Sequence, residues 1–582
     1  MTLIMPFIRL IKYFLLCAGV ALLLIPPPVQ ATEPISVVKS PSSGALYERS
    51  DWVLNVAVPV ANPFLQEEIA LDLVATSPSG KMVVLPCFFE ATSPGQAAWN
   101  ARFTPRESGE YQIRFRLTLK GILTSTTNPV AFNVSPTMKR GFLNPHSDWT
   151  FRFDNGEYYR GIGINLCWES RSNDDSKYFK ALHENPRFNY GHLFGLLNRN
   201  GGSFTRIWMC PWNLPIEARI VSPNTSRYRN SDDYFNPDAI RRMDEVITLA
   251  DSLGIFIMLA LDQAGNYMGG QWEVNNYNSK NGGPAADAKD FFLNPAARQQ
   301  YKNRLRYLIA RWGYSPSIAM WEFFNEVDYL SFDKDTTDHS RRLAVVDWHT
   351  DMSRWLKVND PYQHLVTTSI SHMDVKGLNS IPDIDINQKH VYKYTSGIPQ
   401  IIRDYSDRYG KPYVIGEFGY EWDWSKNFDD FGSNMDSDFK RGLWLGLFSP
   451  TPVLPMSWWW EYFENRGMFG TFQSVRQIHN QMMAAGQGAF TSIPVTAPSD
   501  DVQALAVRCG KTTFVYVYKS SGSDKPVELK LKEHTGKPAR GKLVLCDSLA
   551  ETDYRGFHQS SEGLQLSLPA MKAGTDVILI LD

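Results

Sequence analysis

A chain of 582 residues exceeds one ordinary domain, and about two to four domains are expected. Its 43% hydrophobic and 21% charged content supports large cores and excludes a disordered chain. A formal charge of −2 offers no basic surface for nucleic acid or another polyanion.

The first stretch reads as a secretory signal. Arg9 and Lys12 precede the apolar run Phe14–Ile25, and Val29-Gln30-Ala31 places small residues for cleavage after Ala31. The chain is therefore expected to be secreted, periplasmic or held at the cell surface, with residues 1–31 removed. An uncleaved anchor is the alternative. A lipoprotein reading of Cys17 is disfavoured by bulky Leu16 and the apolar residues that follow. No later run reaches the roughly 20 apolar residues a membrane span requires.

Past the signal, Cys87, Cys167, Cys210, Cys509 and Cys546 are sparse and odd in number, which argues against a disulfide framework. Single bridges Cys509–Cys546 or Cys167–Cys210 stay open. CxxC, HExxH, Walker and dinucleotide glycine patterns are absent from the sequence, so no metal and no cofactor is expected.

Residues 32–137 alternate with period two. Trp52, Leu54, Val56 and Val58 form one series and Tyr111, Ile113, Phe115 and Leu117 another, with turns at Ser77-Pro78-Ser79-Gly80 and Glu107-Ser108-Gly109. Short strands at this spacing predict an antiparallel β-sandwich. A hairpin follows, its strands Trp149–Phe153 and Tyr158–Tyr159 flanking the turn Asp154-Asn155-Gly156.

Residues 138–488 then alternate strands with helices. Strand candidates are Gly161–Leu166, Phe204–Met209, Ile255–Leu261, Ile318–Phe323, Leu365–Thr368, Ile386–His390, Tyr413–Gly416 and Leu454–Trp458. Asn236-Pro237 and Asn294-Pro295 each supply a cap and a first-turn proline to a helix. Further helices cover about 188–198, 340–357, 398–409, 438–448 and 473–485, and the link from the fifth to the sixth strand is the least helical. Buried strands alternating with helices predict an α/β fold, a (β/α)8 TIM barrel, in preference to a doubly wound sheet. Residues 489–582 return to period two and predict a second, C-terminal β-sandwich flanking the barrel.

Two strand-like runs each meet a glutamate. Ser317–Glu326 ends in Asn325-Glu326, and Lys411–Tyr420 carries Glu417. Barrel strand ends form the catalytic face. The residues placed there are Asn165, Trp168, Arg206, Trp208, Asp262, Gln263, Asn325, Glu326, His390, Tyr392, Glu417, Trp458, Trp460 and Glu461. Two carboxylates converging on one cleft are what glycoside hydrolysis needs: one protonates the leaving oxygen, and the other attacks or activates water. Each residue also has a duller reading: Arg206 as a structural ion pair, His390 as a core histidine, one of Trp458 and Trp460 as core. Glu322 and Glu461 compete as catalytic acids, although Glu322, deeper in its strand, reads as a buried structural partner; Asp328 and Glu421 lie past strand ends within reach of a substrate.

Trp321–Glu326, Tyr413–Gly419 and Arg206 between Thr205 and Ile207 together resemble clan A retaining glycoside hydrolases of the family 5 cellulase type, over about Trp149 to Gly486. The resemblance implies Glu326 as acid/base and Glu417 as nucleophile. It implies that Asn325 bonds the sugar 2-hydroxyl, that Arg206 keeps the nucleophile ionised and that Tyr392 bonds Glu417. Trp458 or Trp460 would floor the sugar site and His390 would line it, with Trp208 and Asp262 as further substrate contacts. The segment Trp99–Pro105 with Ser108–Tyr111 resembles immunoglobulin-like modules placed before secreted glycosidases. Many family 5 enzymes carry a histidine where this chain has Asp262-Gln263, which leaves the sugar open.

Trp168, Trp208, Trp212, Tyr267, Trp272, Trp422 and Trp424 follow the strands, and flat apolar rings suit pyranose faces. The Gly-rich insertion Gly265–Phe291 is expected to wall or cover the cleft. The expected activity is double-displacement hydrolysis of a β-linked poly- or oligosaccharide of cellulose, mannan or related type. Two alternatives stand beside it: an exo-acting glycosidase on short oligosaccharides, and a non-catalytic carbohydrate-binding protein on a glycosidase-like barrel. Oligomeric state is not legible in the sequence.

Overall fold

The structure, a computed structural model, describes residues 34–93, 96–331, 339–532 and 538–582. The signal-like segment lies outside them. No helix of the described residues is long and apolar enough to cross a membrane.

Seven parallel strands in sequential order form the central sheet: β1 (Gly163–Asn165), β2 (Phe204–Trp208), β3 (Phe256–Ala260), β4 (Ile318–Glu322), β5 (Leu365–Ile370), β6 (Ile386–Tyr392) and β7 (Tyr413–Gly419). β2 through β5 are buried at every position, as strands covered on both faces must be. The sheet nearly closes into a barrel, and segment 452–458 joins its two edges. On one side Gly161 N donates to Pro452 O (2.9 Å) and Asn165 N to Ser457 O (3.1 Å); on the other Phe418 N donates to Met456 O (3.0 Å) and Trp458 N to Phe418 O (3.3 Å). Pro452 and Pro455 have no N–H to give, so this eighth element pairs through isolated bridges and not a full ladder.

Helices follow most strands: α1 (Tyr190–Arg199), α2 (Pro237–Leu253), α3 (Pro295–Trp312), α4 (Ser340–Asn359), α5 (Ile398–Tyr409), α6 (Gly432–Leu447) and α7 (Gly470–Gly486). The two predicted caps form. Asn236 Oδ1 accepts from the N–H groups of Asp238 and Ala239, and Asn294 Oδ1 from those of Ala296 and Ala297. The weak helical signal between β5 and β6 corresponds to a single short 3-10 turn, Leu378–Ser380.

One end of the barrel is plugged. The predicted hairpin pairs Phe151 with Tyr159, and a third strand, Leu143–Pro145, pairs with Phe151–Phe153. Phe151, Phe153 and Tyr159 pack with Phe204 and Phe256, at the starts of β2 and β3, and with Met258, Met320 and Met456 inside the barrel. Only the opposite end, where the strands finish, is left for a site.

Before the barrel, two sheets, antiparallel except where 134–135 pairs with 44–45 in parallel, enclose one core. Of the series anticipated by alternation, Trp52 and Leu54 on one sheet and Tyr111, Ile113, Phe115 and Leu117 on the other are buried there, while Val56 and Val58 are only partly buried against the core. After the barrel, another pair of antiparallel sheets shares a core of Val515, Val517, Leu529, Leu566 and Leu579. Tyr516 of that unit faces Trp444 and Phe448 of the barrel, with ring centroids 6.4 and 5.7 Å away. Cys87, Cys167, Cys210, Cys509 and Cys546 are all buried free thiols, so neither of the two bridges left open by the sequence forms.

Candidate active site

Strand register brings the polar residues together. Asn165 lies opposite Arg206 across β1 and β2, and His390 lies opposite Glu417 across β6 and β7. Gly416 permits this packing, because a Cβ there would stand 1.8 Å from Gln388 Oε1 on β6.

Arg206 is the hub, and it is fully buried. Nε and Nη2 donate to the two Glu322 oxygens at 2.6 and 2.7 Å, and Nη2 also donates to Asn325 Oδ1 at 2.7 Å. Nη1 donates to Glu417 Oε1 at 2.7 Å and to Asn165 Oδ1 at 3.4 Å. The planar fork thus has an acceptor for each of its donors, which fixes its orientation as a lysine could not. Asn165 also ties the barrel seam, donating to the carbonyls of Gly416 (2.9 Å) and Ser457 (3.0 Å).

The other Glu417 oxygen, Oε2, accepts from Tyr392 Oη at 2.6 Å. His390 Nδ1 lies 2.9 Å from Glu326 Oε1 and 3.4 Å from Glu417 Oε2. One side-chain oxygen each of Glu326 and Glu417 and a nitrogen of His390 all fall within 4.8 Å of one another. Such a trio has the donor types of a metal site, but Tyr392 and Arg206 already occupy Glu417.

Glu326 is held in the left-handed region, φ 54°, ψ 47°, an uncommon conformation for a residue other than glycine, and its N–H donates to Ser369 Oγ at 3.0 Å. Asn325 N donates to Asp262 O at 2.9 Å, so the ends of β3 and β5 brace the Asn-Glu pair from both sides.

The charges separate. Glu322 and Glu417 share Arg206, whereas the half-buried Glu326 has no cation of its own. Burial, reinforced by Asp328, pushes the Glu326 carboxyl up to about 7. Burial also raises Glu417, against the pull of His390, Arg206 and the Tyr392 hydroxyl. Arg206 bonds Glu417 and not Glu326, so it directly stabilises a negative charge on Glu417. Burial lowers His390 to about 4, leaving a neutral ring near neutral pH.

An aromatic wall adjoins these groups. Trp168 packs against Trp208, Trp212, Trp458 and Trp460 at 5.4, 5.6, 5.3 and 5.0 Å, and the Arg206 guanidinium lies 5.4 Å over the Trp208 ring. The indole N–H groups of Trp168, Trp208, Trp212 and Trp460 are buried without a protein acceptor. Trp458 is half-buried, whereas Trp460 heads a short helix (Trp460–Asn465) at 1% exposure and supports the wall from within.

Asp262 stands apart from the glutamates. Its carboxylate accepts from Asn266 Nδ2 (2.7 Å), Tyr267 Oη (2.8 Å) and Arg304 Nη1 (3.3 Å), and it lines a separate pocket with Glu217, Tyr267, Tyr277 and Arg304. Glu322 is the buried structural partner its depth suggested. Asp328 accepts from Ser371 N (2.8 Å) and Oγ (2.7 Å) and from the N–H groups of His372 and Met373 (3.3 Å each), so it shapes the loop after β5. Glu421 likewise folds its own loop: burial opposes its charge, but Lys426 and Lys393 hold it at about 2. The insertion after β3 is built from short helices, including Gly269–Glu273 and Ala288–Leu293. Ser369 and the way Trp168 joins the wall had no signal in sequence, because both depend on neighbours distant in the chain.

No family model matches the chain. It is 24% identical over 211 residues to mannan endo-1,4-beta-mannosidase A of Podospora anserina, covering 32% of this chain and 52% of that protein. To mannan endo-1,4-beta-mannosidase A of Aspergillus aculeatus it is 26% identical over 162 residues, covering 28% of this chain and 37% of that one. The chain thus spans about a third to a half of the length of these curated relatives. A solved structure from Bacteroides vulgatus ATCC 8482, assigned to the glycoside hydrolases, superposes with a TM-score of 0.62 at 14% identity, covering 93% of this chain and all (100%) of that one. That likeness is one of fold.

Proposed function

We propose that the protein is a retaining β-glycosidase that hydrolyses a β-linked glycan of mannan-like type by double displacement. The observation that carries this reading is the arrangement around Arg206: its guanidinium bonds Glu417 directly, while Glu326, within 4.8 Å at an oxygen, is left without a cation and raised to about 7. Paired carboxyls with opposed ionisation are the requirement for an acid and a nucleophile in one site. Their closeness favours the retaining spacing of about 5–5.5 Å over the wider inverting one of about 6.5–9.5 Å.

In the first step Glu326 gives its proton to the glycosidic oxygen as Glu417 Oε2 or Oε1 attacks the anomeric carbon, releasing the leaving sugar. Glu326, now a carboxylate, takes a proton from water, and the resulting hydroxide cleaves the glycosyl ester. Asn325, fixed by Arg206, is placed for the 2-hydroxyl of the sugar. Tyr392 and Arg206 share the charge that returns to Glu417. Trp458 and Trp208 offer apolar ring surface with His390 alongside. The curated relatives, named as mannan endo-mannosidases, support the manno configuration.

We further propose a chain organised as an export signal (1–31), an immunoglobulin-like β-sandwich (32–137), a (β/α)8 barrel (138–488) and a C-terminal β-sandwich (489–582). Separate cores before and after the barrel support these divisions. The test is reducing-sugar release from mannans, β-glucans, xylans and galactans, with Glu326→Ala run alongside. Release on one polymer that is lost in the variant is expected. Binding without hydrolysis in the wild type, unchanged in Glu417→Gln, would favour the binding-protein alternative.

A further inference from the structure

The two sides of the cleft differ in character. Past β1, at the end of β2 and after segment 452–458 the tryptophans close in, with Trp168, Trp208 and Trp460 at most 9% exposed, whereas Trp422 and Trp424 past β7 are 56% and 49% exposed. On the side of Glu326 the surface opens: Tyr329 is 44% exposed and His372 is exposed as well, their rings 5.9 Å apart.

These two residues are built in beside the acid. Tyr329 lies on the 3-10 turn that starts after Glu326, and its N–H donates to Glu326 O at 3.2 Å. His372 follows β5, three residues beyond the Ser369 hydroxyl that holds the Glu326 backbone. Asp328 clamps this segment through the backbone N–H groups of Ser371, His372 and Met373. Four bonds on one buried carboxylate are more order than an idle surface loop needs.

The same clamp sets the histidine's polarity. Ser371 Oγ lies 2.7 Å from Asp328 Oδ2 and 2.7 Å from His372 Nδ1. A hydroxyl has a single proton, and a carboxylate only accepts, so Ser371 donates to Asp328. Its oxygen then accepts from Nδ1–H of His372, and in that neutral tautomer Nε2 keeps a lone pair.

We infer that His372 and Tyr329 form the subsite for the leaving sugar, with His372 Nε2 accepting a hydrogen bond from one of its hydroxyls and the exposed Tyr329 ring lying against its apolar face. The inference rests on Glu326 being the acid. The acid touches the glycosidic oxygen, which departs with the leaving sugar, so groups beyond Glu326 and away from Glu417 meet that sugar and not the one that becomes esterified.

The test compares two substrates sharing one glycone: a β-linked oligosaccharide, and an aryl glycoside whose phenol has no sugar hydroxyls. For His372→Ala the ratio of kcat/KM for the oligosaccharide to that for the aryl glycoside should fall about tenfold, the weight of one hydrogen bond made by the leaving sugar. His372→Gln, which retains an acceptor, should recover part of it. A ratio within about twofold of wild type in His372→Ala would overturn the subsite, since a merely structural role moves both substrates together. A wild type inactive on both substrates would instead overturn the glycosidase reading, and this subsite with it.

Discussion

At the scale of residues, the site turns on how one guanidinium serves two buried glutamates, Glu322 and Glu417, and leaves the half-buried Glu326 without a cation. If Glu326 is the acid as proposed, activity should decline as pH rises through about 7, where its carboxyl loses its proton. Glu326→Ala should abolish that alkaline limb, and added azide should restore turnover on an aryl glycoside as the β-glycosyl azide; α-azide or no rescue would contradict the assignment. The same raised carboxyl bears on stability. The native state binds the proton more tightly than the unfolded chain, so stability is greatest below the unfolded value of about 4.5 and declines as pH rises towards about 7. With 23% of its side chain open to solvent, the cost above pH 7 is on the order of 2 kcal/mol. Glu326→Gln should therefore raise Tm at pH 8 by more than at pH 4, read by calorimetry. Arg206→Lys keeps the charge but loses the fork, and kcat should drop by about 100-fold or more with Glu417 no longer held. Glu326 and Glu417 were legible because apolar strand-like runs meet carboxylates there. That Glu322 takes two of the Arg206 donors, or that Ser369 holds Glu326, required the register between β2, β4 and β5, which no local pattern encodes.

At the scale of elements, the plugged end of the barrel explains why the chemistry sits at the other. Phe151 is fully buried against Phe204 and Phe256. Phe151→Ala should cost about 3–5 kcal/mol by loss of burial and the cavity left behind, lowering Tm while KM of the folded fraction stays put. Most of the barrel could be read from apolar runs and from the Asn-Pro caps of α2 and α3, because these signals are local. The eighth run was visible too. Its irregular pairing follows from Pro452 and Pro455, whose missing N–H groups break the ladder on either side of Leu454. Trp460 was less legible: alternation along the strand cannot show that the chain turns into a helix at that residue.

For the whole molecule, the units before and after the barrel each have a core of their own, yet both are fastened to it by specific contacts. Asp244 on α2 is one such node: it accepts from Arg102 of the N-terminal unit at 2.7 Å, and from Arg311 (2.7 Å) and Trp312 Nε1 (2.8 Å) at the end of α3. Asp244→Ala would leave two arginines without that partner and should lower the unfolding midpoint by the equivalent of about 2–4 kcal/mol, with kcat/KM unchanged. Period-two alternation pointed to β-structure on either side of the barrel, but the ion pair between Arg102 and Asp244 had no sequence signature, since the two are far apart in the chain.

The central claim is that Glu326 and Glu417 act as acid/base and nucleophile in a double displacement. It is tested most directly by proton NMR of a β-manno-oligosaccharide as the purified protein hydrolyses it, following the anomeric signals of the first product before mutarotation. The β-anomer should appear first, and the α-anomer only later as the mixture equilibrates. An α-anomer formed first would mean single displacement and would remove Glu417 from the role of nucleophile.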